Sequence, residues 1–576
     1  DRKRLVDPSA MEAVDRPEDV AHALEVARRS ITVLRNEGGV LPLQAEQPLR
    51  ILHLVLSSDA RNDAIAGIPE AELAARRIAT QTFVLGPEVS PETAARILAA
   101  APGFTHVIAS AFVRVSAYKG NADMAEGHAR LLRDLQAAGR PVVLISFGSP
   151  YLLRQVPSVS AYVSAYGGAD SSQRAAMAAV FGEYPVSGKV PVSLPGFYAF
   201  GDGLQIPRHE MTLRAAAPAD SGFRPDGMAE VDRVVEAAVA ARAFPGAVLA
   251  VGKDGVLAHL QPFGRLSYDD DAPVRADTMY DLASLTKVVV TTTMAMILVD
   301  EGKLDINKPV SAFLPEFRGG AKDKVTVWHL LTHSSGIDWW APLYKELKGK
   351  DAYVRRILAM DLVYEPGTKS VYSDLGVILL GEILERVAGQ DLESFARARV
   401  LGPLGMKDTT YRPGPELRPR IAPTENDPWR GHVLRGEVHD ENAAALGGVA
   451  PHAGLFSTAS DLARFAQMLL DGGVFEHQRI VSRETVERFT KRAGVPDSSR
   501  ALGWDTPSEN SSAGSLFGPR SFGHTGFTGT SMWMDPDRNL FVILLTNRVH
   551  PTRENNAIRE VRRAVADAVV RGLAEK

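Results

Sequence analysis

Met279-Tyr-Asp-Leu-Ala-Ser-Leu-Thr-Lys-Val-Val-Val-Thr-Thr-Thr-Met-Ala-Met-Ile-Leu-Val-Asp300 is the stretch on which the reading of this chain turns. It predicts a buried helix with Ser284 and Lys287 on its first turn, where positions i and i+3 share a face and hydroxyl can meet amine. Val288 to Val299 is apolar or β-branched nearly all round, as in a helix enclosed by protein. A lysine at the mouth of such a helix can lose its proton near neutral pH and take one from a serine attacking a carbonyl. The pattern is short, and a second copy stands at Ser116-Ala-Tyr-Lys119 with no apolar helix behind it. Partners elsewhere in the chain must therefore decide whether acyl transfer is the chemistry.

At 576 residues the chain is too long for one ordinary core. Its 45% apolar and 23% charged content is that of a globular protein. Lys plus Arg (65) nearly balances Asp plus Glu (69), giving −4, so nothing points to a nucleic-acid or anionic-membrane partner. With no cysteine there is no disulfide, thiol nucleophile or cysteine-held metal. No apolar run is long enough to span a bilayer. The chain starts at Asp1 without a legible signal peptide.

From Ala21 to Asn36 a helical pattern is expected to end at Gly38-Gly39 and Pro42. Short apolar strands then alternate with helices: Arg50–Leu56, Gln81–Leu85, His106–Phe112, Pro141–Phe147 and Val159–Ala165. The alternation predicts an α/β sandwich with a parallel sheet. Four segments of this region, Ala27–Leu43, Ser146-Phe-Gly-Ser-Pro-Tyr151, Ala165-Tyr-Gly-Gly-Ala-Asp170 and Gly188-Lys-Val-Pro-Val-Ser-Leu-Pro195, resemble the C-terminal α/β domain of family 3 glycoside hydrolases, in the β-N-acetylglucosaminidase branch. In that family the nucleophile sits in a preceding barrel, and Asp1 to Ala13 would match only the linker after it. The resemblance thus implies a scaffold or sugar-binding platform for 1–205, with glycosidase activity only if a barrel belongs to the parent protein.

A linker is expected over 206–224, and a second domain over 225–576. Met228, Val231, Val234, Val235, Ala238 and Val239 form a helical stripe, and Lys253-Asp254-Gly255 turns a hairpin. Strands Ser531–Asp535 and Leu540–Thr546 close the chain before a last helix, which predicts an antiparallel sheet from both ends of an α+β domain beside a helical cluster. Two further pieces suit the chemistry of Ser284. Glu365-Pro-Gly-Thr-Lys-Ser-Val-Tyr-Ser-Asp374 delivers Tyr372 and Asp374 to a helix start, and a tyrosine beside an ammonium has its phenolate favoured. His524-Thr-Gly526 leads into a strand, where glycine leaves room for substrate and the Phe527 N–H, with that of Ser284, can hold an oxyanion.

These motifs, in this order, resemble the penicillin-recognising serine hydrolases: class C β-lactamases, D-Ala-D-Ala carboxypeptidases and family VIII carboxylesterases. Thr326-Val-Trp-His-Leu-Leu-Thr-His-Ser-Ser-Gly-Ile337 and Gly454-Leu-Phe-Ser-Thr-Ala-Ser-Asp-Leu-Ala463 agree with it. The resemblance implies a β-lactamase/transpeptidase-like fold, with Ser284 as nucleophile, Lys287 as base or its electrostatic partner and Tyr372 as the proton relay to the leaving group. Asp374, His524, Thr525, Gly526 and Phe527 would bind substrate. It implies no cofactor and no metal, and a small ester, amide or peptide substrate, peptidoglycan fragments included. A periplasmic or extracellular address is expected on the same ground; the oligomeric state stays open. Asp374 and His524 stand where Asn and often Lys occur in that family. A carboxylate at 374 is expected to keep Lys287 charged and repel a substrate carboxylate, and His524 to anchor one poorly. Both favour an esterase or D-amino-acid peptidase over a β-lactamase, with a non-turning-over cell-wall sensor as another class. His329 and His333 have metal-ligand spacing but lack the companion glutamate. His439-Asp-Glu-Asn442 reads as a capped, solvated loop, and Trp339-Trp340 as either a cleft wall or packing.

Overall fold

The computed structural model of the chain describes residues 17–43, 49–58, 63–76, 78–113, 122–207, 213–476 and 478–574. Ser116-Ala-Tyr-Lys119 and the segment Asp1 to Ala13 lie outside the described residues. The chain divides into two compact units, one of residues 1–210 with 476–478 and the other of 211–475 and 479–576.

The first unit is a six-stranded sheet of β1 (Thr32–Asn36), β2 (Arg50–Ser57), β3 (Ala79–Leu85), β4 (His106–Phe112), β5 (Val142–Ser146) and β6 (Ala161–Ser164), in the order β1-β6-β5-β4-β2-β3. Five strands are parallel and separated in sequence by helices, as the alternation predicts. Strand β1 departs from expectation. The helical pattern from Ala21 is really helix α1 (Pro17–Ser30) followed by β1, which pairs antiparallel with β6, Thr32 opposite Ser164. The sheet is therefore mixed. Val33 enters the core on one face and Leu34 the core on the other, a two-sided burial that period alone cannot tell from a helical stripe.

The second unit carries a five-stranded antiparallel sheet from both ends of its sequence: β7 (Gly246–Lys253), β8 (Val256–Gly264), β9 (Phe522–Thr525), β10 (Ser531–Asp535) and β11 (Leu540–Thr546), ordered β9-β10-β11-β7-β8. The β7–β8 turn puts Asp254 and Gly255 at φ of 52° and 81°, the tight hairpin the sequence predicts. Alternation gives the sheet two buried faces. Val248, Ala250, Met532 and Ile543 face a large helical core, while Leu249, Val251, Trp533 and Leu544 meet the first and last helices of the unit, Gly227–Ala240 and Ile558–Arg571.

The helix bearing Lys287 penetrates that large core, and every residue from Lys287 to Leu298 is buried. It is not α-helical throughout: Lys287–Thr292 forms a π-helical turn before the α-helix Thr293–Asp300. The unbroken β-branched run Val288 to Thr293 crowds a 3.6-residue turn, and the Thr293 hydroxyl donates to the Val288 carbonyl (2.9 Å) across the widened segment.

Gly252 lies opposite Phe541, and a Cβ there would fall 2.0 Å from the ring. Gly252→Ala is expected to destabilise this unit by about 1–3 kcal/mol through overpacking. Denaturant melts should show it, with partial recovery in Gly252→Ala/Phe541→Leu; an unchanged midpoint would contradict the packing.

Candidate active site

Ser284 sits where a short strand, Tyr280–Asp281, turns into the buried helix. Ala283 at the turn has φ of 45°, a left-handed conformation that costs energy for a residue with a Cβ. Two oxygens of the buried Asp281 carboxylate hold the turn, one accepting from the Ala283 amide (2.8 Å) and the other from the His439 amide (2.6 Å).

The opposing wall is the turn after β9. Thr528 and Thr530 hydroxyls donate to the Asp281 and Leu282 carbonyls (2.7 and 3.0 Å), stapling the two turns together. Gly526 is needed for that staple. A Cβ there would meet Leu282 O at 2.3 Å and Thr530 Oγ1 at 2.1 Å, so its role is close backbone approach more than space for substrate. Among the described residues neither the Ser284 nor the Phe527 amide donates to any acceptor. Both line one cleft of about 340 Å³, as an oxyanion hole requires.

Lys287 Nζ lies 2.8 Å from Ser284 Oγ, 2.9 Å from the His452 carbonyl and 2.7 Å from Asp374 Oδ1. The last contact has poor hydrogen-bond geometry and is chiefly ionic, since Asp374 Oδ1 makes no hydrogen bond. Burial works to lower the Lys287 pKa, but Asp374 and Tyr372 outweigh it and raise the value above an ordinary lysine's. Lys287 is thus an ammonium, in line with the expectation from a carboxylate at 374 and against the free amine expected from the helix mouth alone. Burial likewise raises the Tyr372 phenol, and the nearby ammonium only offsets it in part, so the favoured phenolate gives way to a neutral hydroxyl. That hydroxyl is buried and without a hydrogen-bond partner.

Ser373 caps the helix Asp374–Ala388 by accepting from the Gly376 amide (2.9 Å), which sets Tyr372 and Asp374 at its N-terminus. His333 Nδ1 accepts from the Ser373 amide (3.1 Å), and its ring packs on Tyr372 at 4.6 Å; His329 Nδ1 accepts from the Thr326 amide (3.0 Å). The two histidines with metal-ligand spacing both hold backbone turns. Trp339 is exposed, its ring lies 5.8 Å from that of Trp340, and its carbonyl accepts from the Asp374 amide (3.0 Å).

His524 is buried; its Nδ1–H donates to the Thr525 carbonyl (2.8 Å) and its Nε2 faces Arg500 Nη1 at 3.4 Å. Burial, Arg500 and Lys287 hold it well below the usual imidazole range, hence neutral. The sequence reading missed the cations around it. Arg500, Arg548, Arg559 and Arg562 all line the Ser284 cleft, and even with Arg500 paired to Asp505 and Asp374 paired to Lys287 the cations outnumber the carboxylates. These arginines come from distant segments and carry no motif. Also missed was the support of Lys287: His452 Nε2 pairs with Asp440 (3.0 Å), and Asp440 caps the helix after it by accepting from the Ala443 amide. The His439–Asn442 loop is capped as expected but buried at His439 and Asn442, with His439 Nε2 on Glu425 at 2.9 Å.

Residues 231–567 match the Beta-lactamase family model, and 31–221 match the Glycosyl hydrolase family 3 C-terminal domain. The N-acetylmuramyl-L-alanine amidase of Bacillus subtilis (strain 168) is 35% identical over 366 residues, covering 57% of this chain and 82% of its own. A Salmonella typhi protein provisionally named a D-alanyl-D-alanine carboxypeptidase is 33% identical over 376 residues, covering 59% and 86%. The solved structure of a class C beta-lactamase has a TM-score of 0.51 at 20% identity, covering 63% of this chain and 100% of that one, and shares the fold.

The raised Lys287 pKa gives stability that is complete below the ordinary lysine value and is lost as pH rises through Lys287's own. Asp374→Asn removes the leading raising influence. The Lys287 titration, followed by NMR of ¹³Cε-labelled lysine, should then move to lower pH; an unmoved titration would deny Asp374 its control.

Proposed function

The chain belongs to the beta-lactamase family, a family of serine hydrolases, and from that premise we propose that it cleaves a carbonyl substrate through an acyl-enzyme on Ser284. The observation that carries the reading is Lys287 Nζ at 2.8 Å from Ser284 Oγ, opposite two undonated amides. Ser284 attacks the carbonyl carbon while the Ser284 and Phe527 amides receive the oxyanion. The Lys287 ammonium, fixed by Asp374 and the His452 carbonyl, stabilises the developing alkoxide. In one concerted transfer the neutral Tyr372 hydroxyl passes its proton to the leaving atom as its oxygen takes the proton of Ser284, while the Lys287 ammonium keeps its own. The pair ends as it began. Water then takes the acyl group by the reverse path.

The substrate is an amide or ester bearing a carboxylate near the scissile bond. Four arginines around the cleft support it, against the expectation from Asp374 and His524 alone. The D-amino-acid peptidase reading therefore stands ahead of the esterase. The names of two relatives, a muramyl-alanine amidase and a D-Ala-D-Ala carboxypeptidase, fit an exported enzyme acting on peptidoglycan fragments. On the same reading, 1–205 is a domain of the β-N-acetylglucosaminidase branch kept as a glycan platform. β-Lactam hydrolysis is the second reading, favoured by the same arginines.

Intact mass and product release should be followed with a p-nitrophenyl ester, an acyl-D-Ala-D-Ala peptide and a penicillin. Ser284→Ala should lose at least about 10⁴-fold in turnover, and Tyr372→Phe about 10²–10⁴-fold. No Ser284-dependent adduct with any of the three would end the proposal. A lasting penicillin adduct without peptide turnover would make the protein a sensor.

A further inference from the structure

The cleft at Ser284 does not stop at the catalytic residues. It shares Asp505, Thr525, Arg559 and Arg562 with a second groove of about 530 Å³ that runs between the loop Thr506–Ser512 and the last helix. One wall presents hydroxyl and amide groups from Ser508, Asn510 and Ser511, backed by Trp533, whose indole N–H donates to Ser512 Oγ (2.9 Å). The other wall is Arg559, Arg562 and Arg563.

Those three guanidinium groups differ from most in this unit. Arg553 pairs with Glu425 and Glu441, and Arg500 with Asp505, at 2.6–3.2 Å. Among the described residues Arg559, Arg562 and Arg563 have no carboxylate within ion-pair distance, although Glu560 lines the same groove. Arg562 gives one nitrogen to the Gly526 and Thr530 carbonyls (2.7 Å each), while its buried Nε has no partner. Burial first, and then the cations Arg548 and Arg559, lower its pKa to about 9. Like charges held together along a groove leading from the nucleophile are relieved by an anion, and hydroxyls opposite them suit a polar chain.

Resting on the acyl-enzyme reading above, we propose that this groove is a substrate subsite for an acidic peptide extension, one carrying carboxylates beyond the residue at the scissile bond. The preferred substrate is then a longer, branched or cross-linked acidic peptide, of which a two-residue terminus is only the reacting end.

The test is a substrate series with one scissile ester, extended on the acyl side or the leaving-group side by Ala-Ala or by Glu-Glu. On one of the two sides the acidic extension should raise kcat/KM about tenfold over the neutral one at low ionic strength, and salt should erode the gain. Arg563→Glu and Arg559→Glu should collapse the acidic-to-neutral ratio to one or below; both side chains reach solvent, so folding is not at stake. Equal rates for acidic and neutral extensions on both sides would overturn the subsite while leaving the acyl-enzyme intact. A second arm works without catalysis: calorimetric binding of Glu-Glu-Glu to Ser284→Ala protein should be at least about tenfold weaker with Arg563→Glu added. If the series shows no Ser284-dependent turnover, this arm still decides, and absent or Arg563-independent binding overturns the proposal.

Discussion

A buried ammonium governs the second unit. Lys287 lies almost fully out of solvent on the first turn of a helix whose other faces are hydrocarbon, and a lone charge there would cost several kcal/mol. Three oxygens offset that cost, from Ser284, Asp374 and the His452 carbonyl, and each comes from a different part of the chain. The structure around the site is largely the means of holding those oxygens. Ser373 caps the helix that carries Asp374; Asp440 fixes the His452 ring; Thr291 donates to the Pro451 carbonyl (2.6 Å) and anchors the same loop. The ammonium therefore couples local order in four segments to one chemical event.

The second constraint is geometric. The two amides proposed to receive an oxyanion belong to turns far apart in the unit's sequence, and these turns meet because Gly526 lets one backbone lie on the other. The strained Ala283 and the hydroxyls of Thr528 and Thr530 belong to the same contact. Strain at 283 is tolerated because Asp281, His439 and the buried sheet over-determine the turn. Preorganisation of this kind is what allows dipoles to act on developing charge without first reorienting.

Much of this was legible in the chain. Strand–helix alternation gave the first unit, and hairpin chemistry at Asp254-Gly255 with period-two strands at both ends gave the antiparallel sheet of the second. The spacing of Ser284 and Lys287 and the Pro-Gly turn before Tyr372 indicated which side chains to bring together, and the structure brings them together. Strand β1 was misread because a strand buried on both faces has no distinguishing period. The π-helical turn was hidden because a helical stripe looks the same over one widened turn.

Local chemistry is written in residue type and spacing, so the sequence by itself determined the motifs, the two architectures and the candidate reacting groups. Protonation is not local. The carboxylate at 374 pointed to the ammonium at 287, but that its pull at 2.7 Å outweighs burial, and that burial keeps the phenol at 372 neutral, has no signature along the chain. The arginines of the cleft are the same case. Arg500, Arg548, Arg559 and Arg562 are unremarkable in sequence and become one positive wall only when a loop, a strand end and the last helix converge on Ser284. Charge adds through space, and only the tertiary structure decides what lies near what.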